Sequence, residues 1–530
     1  MRKFIWTLVL MLCLVGQQAL AADFSKLVIL HTNDTHGFDM HGNGHIGMDG
    51  ISAYKKDLEA QGYDVILLDA GDCIQDNNLV NFSKGKSAIE FMNYAGYTAG
   101  CLGNHEFDYG QDVLMERISE AKHHIVSCNI YVDATGEPFV PPSVILDRPS
   151  GKIGIVGFTT PETLVSTAPA NVYGLTFKAQ EELYKVAQAE VDKLKAAGCE
   201  LIVGVGHMGS EQGCMGNRSD DVIMNVKGLD VFVDGHDHRI KNNYINGVLQ
   251  VETGSYTKNI GKVTYNGTKW VGELIPFGTY DKQDADVTAV INKYAAEVQA
   301  HLDVKLGENV QFLDGAREPG VRTHEMPIGD FLADAYLWQA NQANVLSRKV
   351  DAAIVNGGSI RHSIFQGVIR RADIVSCAPF NNQLFVATLT GAKLLEIMES
   401  ATAYLPDAMG GLPQVAGIEY EVNTAVPYAK GPQYPHSLFF APAKPGSRVT
   451  IKTVGGKPFA VNAQYTIVAT DFIFTGGDNY AALAMPGAKE NYQSIGYVDA
   501  EAIENYIVTA CGGKIGPEYA QAQGRFVIKK

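Results

Sequence analysis

Five short apolar runs in this 530-residue chain each end in residues that can hold a cation or move a proton. Val28-Ile29-Leu30-His31 leads into Asp34-Thr35-His36-Gly37, and Val65 to Leu68 leads into Gly71-Asp72. A short run before Gly103 leads into Asn104-His105-Glu106, Leu201 to Val205 into Gly206-His207, and Val231 to Val233 into Gly235-His236-Asp237-His238. Taken singly, each piece reads as a capping aspartate beside a surface histidine. Together, all just after strands, they point to one crevice, because ligand sites in open α/β sheets lie beyond the carboxyl ends of the strands. The donors are oxygen and imidazole, without thiolate. That excludes a cysteine-type structural zinc site and suits Zn²⁺, Mn²⁺, Fe or Co in a catalytic site with open positions. There are too many donors for one tetrahedral ion. Two ions about 3.5–4 Å apart, sharing a carboxylate, would use them, and such pairs clamp the attacking and leaving oxygens of phosphoryl transfer.

A second group of residues follows later in the chain. Asn356-Gly357-Gly358-Ser359-Ile360-Arg361 continues a strand from Ala352 to Val355. Its glycines let backbone approach a ligand, and Arg361 can grip a phosphate bidentately. Arg317 and Arg322 precede a helix beginning near Ile328. Two aromatic segments, Pro379-Phe380-Asn381-Asn382 and Asp471-Phe472-Ile473-Phe474-Thr475-Gly476-Gly477-Asp478, read as loops rich in small and polar residues. A phenylalanine pair ordinarily belongs to a core. In polar loops it can instead sandwich a base, since stacking tolerates any base.

The elements that must position these residues read as α/β throughout. From Lys26 to about Phe277, strands at Leu27–His31, Val65–Asp69, Lys152–Gly157, Leu201–Val205 and Val231–Asp234 alternate with helical stretches such as Ser87–Tyr94 and Gln180–Ala196. Asp281 to Asp303 has helical periodicity, with Val287, Val290, Ile291, Tyr294 and Val298 on one face, and reads as a lone solvent-bridging connector. A second block follows, with helices at Ile328–Gln342, Ala392–Tyr404 and Asp499–Thr509 and strands at Ala352–Val355, Leu384–Leu389 and Tyr465–Thr470. Ala425 to Pro445, rich in proline and tyrosine, reads as a surface excursion. The expected divisions are residues 1–21, 22–278, 279–304 and 305–530.

Residues 1–21 have the order of a secretory signal: Arg2-Lys3, an apolar stretch from Phe4 to Val15, then Ala19-Leu20-Ala21. The apolar stretch is too short to span a bilayer, and no later run is long enough. A soluble periplasmic or secreted protein, cleaved near Ala21, is expected. Formal net charge is −15. An acidic chain of this size is a poor partner for a nucleic-acid polymer, and an anionic substrate must find local positive charge. The cysteines beyond the signal (Cys73, Cys101, Cys128, Cys199, Cys214, Cys377 and Cys511) contain no CxxC pair and number seven, so one at least is unpaired within the monomer. Of the remaining histidines, His31, His123 and His124 read as structural, and His41 and His45 as solvated. Oligomeric state is open at this level.

Ile29-Leu30-His31-Thr32-Asn33-Asp34-Thr35-His36-Gly37, Gly71-Asp72, Gly103-Asn104-His105-Glu106-Phe107-Asp108, Gly206-His207 and Gly235-His236-Asp237-His238 resemble the successive motifs of calcineurin-like metallophosphoesterases. The wording is similar to the secreted 5′-nucleotidase and UDP-sugar hydrolase branch, and the aromatic segments resemble its C-terminal domain. The resemblance implies an N-terminal α/β/β/α sandwich and a C-terminal α/β substrate-binding domain. It implies one metal at Asp34, His36 and His238 and another at Asn104, His207 and His236, with Asp72 bridging. The two divalent ions would be Zn, Mn or Co. It makes His105 and Asp108 the catalytic pair, the second orienting the first. It implies that Phe380 and Phe472 stack the base of a nucleotide substrate, that Asn382 and Asp478 contact the nucleoside, and that Arg361 and Arg322 hold the phosphate. Asn356, opening the arginine's loop, joins the substrate-binding set, and Arg317 is a looser match. One departure stands: the family's Pro-Phe-Gly-Asn has Asn381 here in place of glycine, which is expected to adjust that loop. The competing readings are a relative acting on 2′,3′-cyclic nucleotides, UDP-sugars or an oxidised sulfur compound, and a secreted nucleotide-binding protein without catalysis.

Overall fold

Strand Leu27–Thr32 sends Leu27 and Ile29 to one side and Val28 and Leu30 to the other, and all four are buried. A strand buried on both faces belongs to a sheet covered on both sides. In the computed structural model, which describes residues 22–211, 214–343, 345–346, 348–435, 437–485 and 492–529, this strand sits near the middle of a six-stranded sheet. Across the sheet the order is Trp270–Pro276, Asn259–Tyr265, Leu27–Thr32, Asp64–Asp69, Ala99–Cys101 and His124–Val126, the last four parallel. A second sheet runs Ile240–Ile245, Val248–Thr253, Val231–Val233, Leu201–His207, Gly151–Thr159 and Ser143–Arg148, with its four inner strands parallel. Ile29, Ile66 and Leu68 of the first sheet meet Ile155, Val203 and Val205 of the second in one cluster. Val28, Leu30 and Leu67 face outward onto Ile51 and Phe91 of helices Gly47–Ala60 and Lys86–Ala95. Val156, Ile202 and Phe232 face outward onto Leu183 and Val191 of helix Gln180–Ala196. The first domain is therefore an α/β/β/α sandwich. The signal-peptide reading concerns residues 1–21, which lie outside the described residues.

The second domain repeats the logic with one central sheet, ordered Pro413–Ala416, Ala352–Asn356, Gln464–Thr470, Gln383–Thr390 and Gln493–Val498. Ala353 and Val355 pack with Phe331 and Tyr336 of helix Pro327–Ala343, whereas Ala352 and Ile354 pack with Leu394 and Ile397 of helix Gly391–Ser400.

Several expectations need correction. Helix Ala285–Leu302 is not a lone solvent bridge: Val287, Ile291 and Val298 are buried, the first two in the cluster beneath helices Gly47–Ala60 and Lys86–Ala95. Tyr294 donates to Glu90 and Thr288 to Asp49, which secures the helix to the first domain. Burial of each such apolar side chain is worth about 1.5–3 kcal/mol, more than a free connector could forgo. The proline- and tyrosine-rich stretch is a hairpin, Lys430–Gln433 with Phe440–Pro442, and it sends Tyr434 and Phe439 into the second domain's core. His41 and His45 are half-buried and bound to the carbonyls of Ile46 and Tyr256, so they are not simply solvated. His124 is exposed on its strand, whereas His31 and His123 are buried. All seven cysteines are unbridged and six are buried.

Candidate active site

The loops that follow the parallel strands of both sheets converge. Five of their donor residues hold a left-handed backbone: Asp34 (φ 48°), His36 (49°), Asp72 (59°), His236 (101°) and His238 (59°). Such conformations cost about 1–3 kcal/mol each and persist only where surroundings over-determine them, typically at functional sites. Glu106 supplies part of that determination, its carboxylate accepting the backbone N–H of Asp72, Cys73 and Gly103 at 2.8, 2.8 and 2.6 Å. A Cβ on Gly103 would lie 2.2 Å from Asp72 Oδ1, so only glycine allows the two loops to approach.

All seven donors from the sequence reading meet here. Asp34, His36 and His238 form one group and Asp72, His207 and His236 another, the donor atoms within each lying within 4.8 Å of one another. Asp72 Oδ2 lies between them, 3.0 Å from His207 Nε2 and 3.8 Å from His36 Nε2. Asn104 Oδ1 is 3.0 Å from His236 Nδ1 and so joins the second group.

These residues fit a bound cation. His36 Nδ1 is held by the Gln75 carbonyl at 3.0 Å and His207 Nδ1 by the Ala70 carbonyl at 2.7 Å. Each Nδ1–H is thereby committed, leaving Nε2 as a lone pair aimed at the other donors. Burial works against charge on His207, but Asp72, 3.0 Å from its Nε2, and Asp34 outweigh it and hold the imidazolium well above its usual range, a positive charge that a cation on these donors would replace. Burial pushes His36 down to about 3, so its imidazole is neutral and ready to ligate. Chemistry of this kind calls for divalent metal.

Beside the donors, His105 Nδ1 meets Asp108 Oδ2 at 2.6 Å, and the His105 backbone N–H reaches Asp72 Oδ1 at 2.9 Å. Burial works against charge on His105, but Asp108 and Asp72 outweigh it and hold the imidazolium above its usual range. The second domain closes over this edge. Phe380 lies nearly parallel to the His105 ring at 5.8 Å, and the Arg361 guanidinium sits 5.6 Å from the Phe380 centroid. Arg361 also faces Asp76 Oδ2 at 3.5 Å. Arg317 donates to His238 Nδ1 at 2.9 Å, which puts the looser match nearest the metal donors. Arg322 is pushed down to about 9 by burial, with Arg317 and Arg361 adding repulsion, and its Nε has no partner.

One cleft of about 370 Å³ is lined by Asp72, Asn104, His105, Asp108, His236, His238 and the three arginines. The same cleft is lined by Asn356, Phe380, Asn382, Phe472 and Asp478. Asn356 Nδ2 donates to Asp478 Oδ2 at 2.8 Å, and burial raises Asp478 to about 6. Phe472 lies on a helical turn, Asp471–Phe474, rather than in a loop; Phe474 is the core member of the pair. Asn381 has φ 56°, the region glycine takes freely and asparagine tolerates, so the departure from glycine leaves the loop path open.

Residues 27–239 match the calcineurin-like phosphoesterase family and residues 298–485 match the 5′-nucleotidase C-terminal domain. The chain belongs to the 5′-nucleotidase family of metallophosphoesterases. It is 29% identical to a 5′-nucleotidase of Vibrio cholerae, over 93% of this chain and 92% of that one. It is 28% identical to the trifunctional nucleotide phosphoesterase protein YfkN of Bacillus subtilis, over 93% of this chain but 34% of that longer protein. The crystal structure of a 5′-nucleotidase precursor from Thermus thermophilus superposes with a TM-score of 0.79 at 25% identity, covering 95% of this chain and 99% of that one. As a member of this family the chain is a metal-dependent phosphoester hydrolase. Among the described residues no helix is long and apolar enough to cross a membrane.

Sequence reasoning missed Glu162, whose carboxylate meets His236 Nε2 at 2.9 Å. The signal was available: Glu162 follows strand Gly151–Thr159 just as the other donors follow theirs. Asp76 was also missed, and nothing in its neighbourhood of the sequence announces a partner 285 residues away.

Proposed function

We propose that this chain hydrolyses nucleoside 5′-phosphates, with Asp34, His36 and His238 holding one divalent ion, Asn104, His207 and His236 a second, and Asp72 bridging. The oxygen-and-imidazole donor set suits Zn, Mn or Co. When bound, such ions supply Lewis-acid polarisation of the phosphoryl group and an activated water. The observation that carries the reading is a cleft in which Phe380, Phe472, Arg317, Arg322 and Arg361 share a lining with Asp72, Asn104, His236 and His238. Arg322 carries a buried guanidinium nitrogen without a partner, which a phosphate oxygen would satisfy.

The chain's own residues divide the remaining work. Arg317, Arg322 and Arg361 orient the phosphoryl group and offset its charge. His105, with Nδ1 fixed by Asp108, presents Nε2 and passes a proton to the leaving oxygen. Phe380 and Phe472 stack the base, while Asn382 and Asp478 contact the nucleoside. Purified protein assayed with Mn²⁺, Co²⁺ or Zn²⁺ against AMP, ADP, ATP, UDP-glucose, a 2′,3′-cyclic nucleotide and an aryl phosphate tests the assignment. AMP is expected to give the highest kcat/KM; preference for the cyclic ester would replace this reading.

Export completes the proposal: Arg2-Lys3, the apolar stretch and Ala19-Leu20-Ala21 direct the chain to the periplasm or medium. Sequencing of the extracytoplasmic protein should begin near Ala22, and an intact Met1 on cytoplasmic protein would contradict it.

A further inference from the structure

Between strand Gly151–Thr159 and Val172, one segment touches both halves of the site and the other domain as well. Its first contact is Glu162, whose Oε2 lies 2.9 Å from His236 Nε2 and accepts the Cys214 thiol at 3.1 Å. Its second is Thr167, whose hydroxyl donates to Asp108 Oδ1 at 2.8 Å. Asn171 adds a bond from its amide to the Asp108 backbone carbonyl at 2.9 Å. Between them Val165, 2% exposed, is buried in the second domain's core cluster, and its carbonyl accepts the Asp478 N–H at 2.6 Å.

We infer that Glu162 and Thr167 are positioning residues, the first fixing the His236 imidazole for a cation and the second fixing the Asp108 carboxylate for His105. The inference rests on the hydrolase reading above for its kinetic arm but not for its metal arm. His236 has two nitrogens and one neutral-state proton. With Nε2–H given to Glu162, the neutral ring turns Nδ1 toward Asn104 Oδ1 at 3.0 Å, the side on which the other donors lie. A cation between Nδ1 and Asn104 Oδ1 would take a lone pair from each, so Glu162, by holding Nε2, fixes the ring in the ligating orientation and tautomer. A separate ion held by Glu162, Cys214 and His236 is the competing view, since their donor atoms lie within 4.8 Å. It is disfavoured because the 2.9 and 3.1 Å spacings are already hydrogen bonds and one imidazole would have to serve two ions.

Asp108 presents a parallel case. Oδ2 takes His105 and Oδ1 takes Thr167, so the carboxylate plane is fixed from both sides. Thr167 is 1% exposed, and Val165 two residues earlier is clamped in the other domain, so the hydroxyl has little freedom to wander. Small displacements of such a pair are costly to turnover.

The test uses full-length protein carrying Glu162→Ala, Glu162→Gln, Thr167→Val or Thr167→Ser. Metal retention is read by elemental analysis after titration with a chelator, and kcat and KM are read on AMP and an aryl phosphate. Glu162→Ala should weaken retention of one ion by about 10–100-fold, and Glu162→Gln, which keeps a neutral acceptor, by less. Thr167→Val should lower kcat on both substrates by about 10-fold with KM and metal content unchanged, and Thr167→Ser should restore most of it. Undiminished metal retention in both Glu162 variants, or an unchanged kcat in Thr167→Val, would overturn the inference while wild type still hydrolyses AMP. Loss of both bound ions together in Glu162→Ala, with kcat intact in Thr167→Val, also overturns it. A wild type inert on every ester sinks the hydrolase reading instead, and the metal arm still decides for or against Glu162. Should the alanine variant fail to fold, the Glu162→Gln loss decides alone.

Discussion

The two domains build their parts of the site in different ways. In the first, key side chains are braced from behind: His36 and His207 by carbonyls, Asp72 by its loop's bonds to Glu106, His105 by Asp108. Strained backbone at five donors is tolerated because so many contacts impose it. In the second domain, Phe380 and Phe472 are only partly buried and line the cleft through packing, and Arg322 waits without a partner at Nε. The first region is a rigid constellation made for one kind of chemistry. The second is a graded surface whose members each contribute a share of recognition. Substitutions in the former should cost every substrate alike, and substitutions in the latter should cost only substrates that carry a base.

The largest test is Asp72→Asn, or metal removal by chelation. Asp72 lies between both donor groups, and either treatment should drop hydrolysis of AMP and aryl phosphate below detection, with added Mn²⁺, Co²⁺ or Zn²⁺ restoring only the chelated wild type. Full activity in rigorously metal-free protein would sink the two-metal scheme. Next comes His105→Ala, expected to lower kcat about 10²–10⁴-fold on AMP and to lower it on the aryl phosphate as well, because a proton passed to the leaving oxygen does not require a stacked base. A loss confined to AMP would move His105 into the recognition surface.

A third test asks whether the bracing is structural. Lys241 Nζ lies 2.8 Å from both Asp234 and Glu252 and 3.7 Å from Asp237, between the two histidines of the last motif. Lys241→Met leaves the buried Asp234 and Glu252 without their cation, while Asp237 keeps Arg239, and should destabilise the first domain by about 3–5 kcal/mol, measured by denaturant unfolding. No change in midpoint would show the cluster to be dispensable. The smallest effect should be the most selective. Phe472→Ala should raise KM for AMP by the equivalent of about 1–3 kcal/mol and leave the aryl phosphate nearly unaffected. Equal losses on both substrates would make Phe472 a structural residue and erase the difference between the two regions.

The convergence of the proposed metal donors was legible in the sequence because each sits at a strand end, where pattern and chemistry coincide within a few residues. The sandwich was legible for the same reason: strands such as Leu27–Thr32 are apolar on both faces. What escaped was tertiary. Helix Ala285–Leu302 shows an apolar stripe, yet periodicity does not say which surface receives it, and here the receiving surface is the first domain. Asp76 and Arg361 find each other across the domain boundary, with no local signal on either side. Glu162 was within reach, since the strand-end rule that found the other donors applies to Gly151–Thr159 as well. The hairpin at Lys430–Gln433 misled by composition: proline and tyrosine suggest exposure, but Tyr434 and Phe439 turn inward.

Because helix Ala285–Leu302 is secured to the first domain and strand Lys305–Asn309 already belongs to the second, the covalent tie between them is only Asp303 and Val304. Two residues span at most about 7 Å. A tether that short keeps the second domain at an effective concentration in the millimolar range or above, whatever the affinity of the interface itself. The contacts that cross it, Asn78 to Ser376 and Asp478 to Val165 among them, can therefore each be weak. The recognition surface is free to exchange its side chains for another substrate without losing its place over the clustered carboxylates and imidazoles.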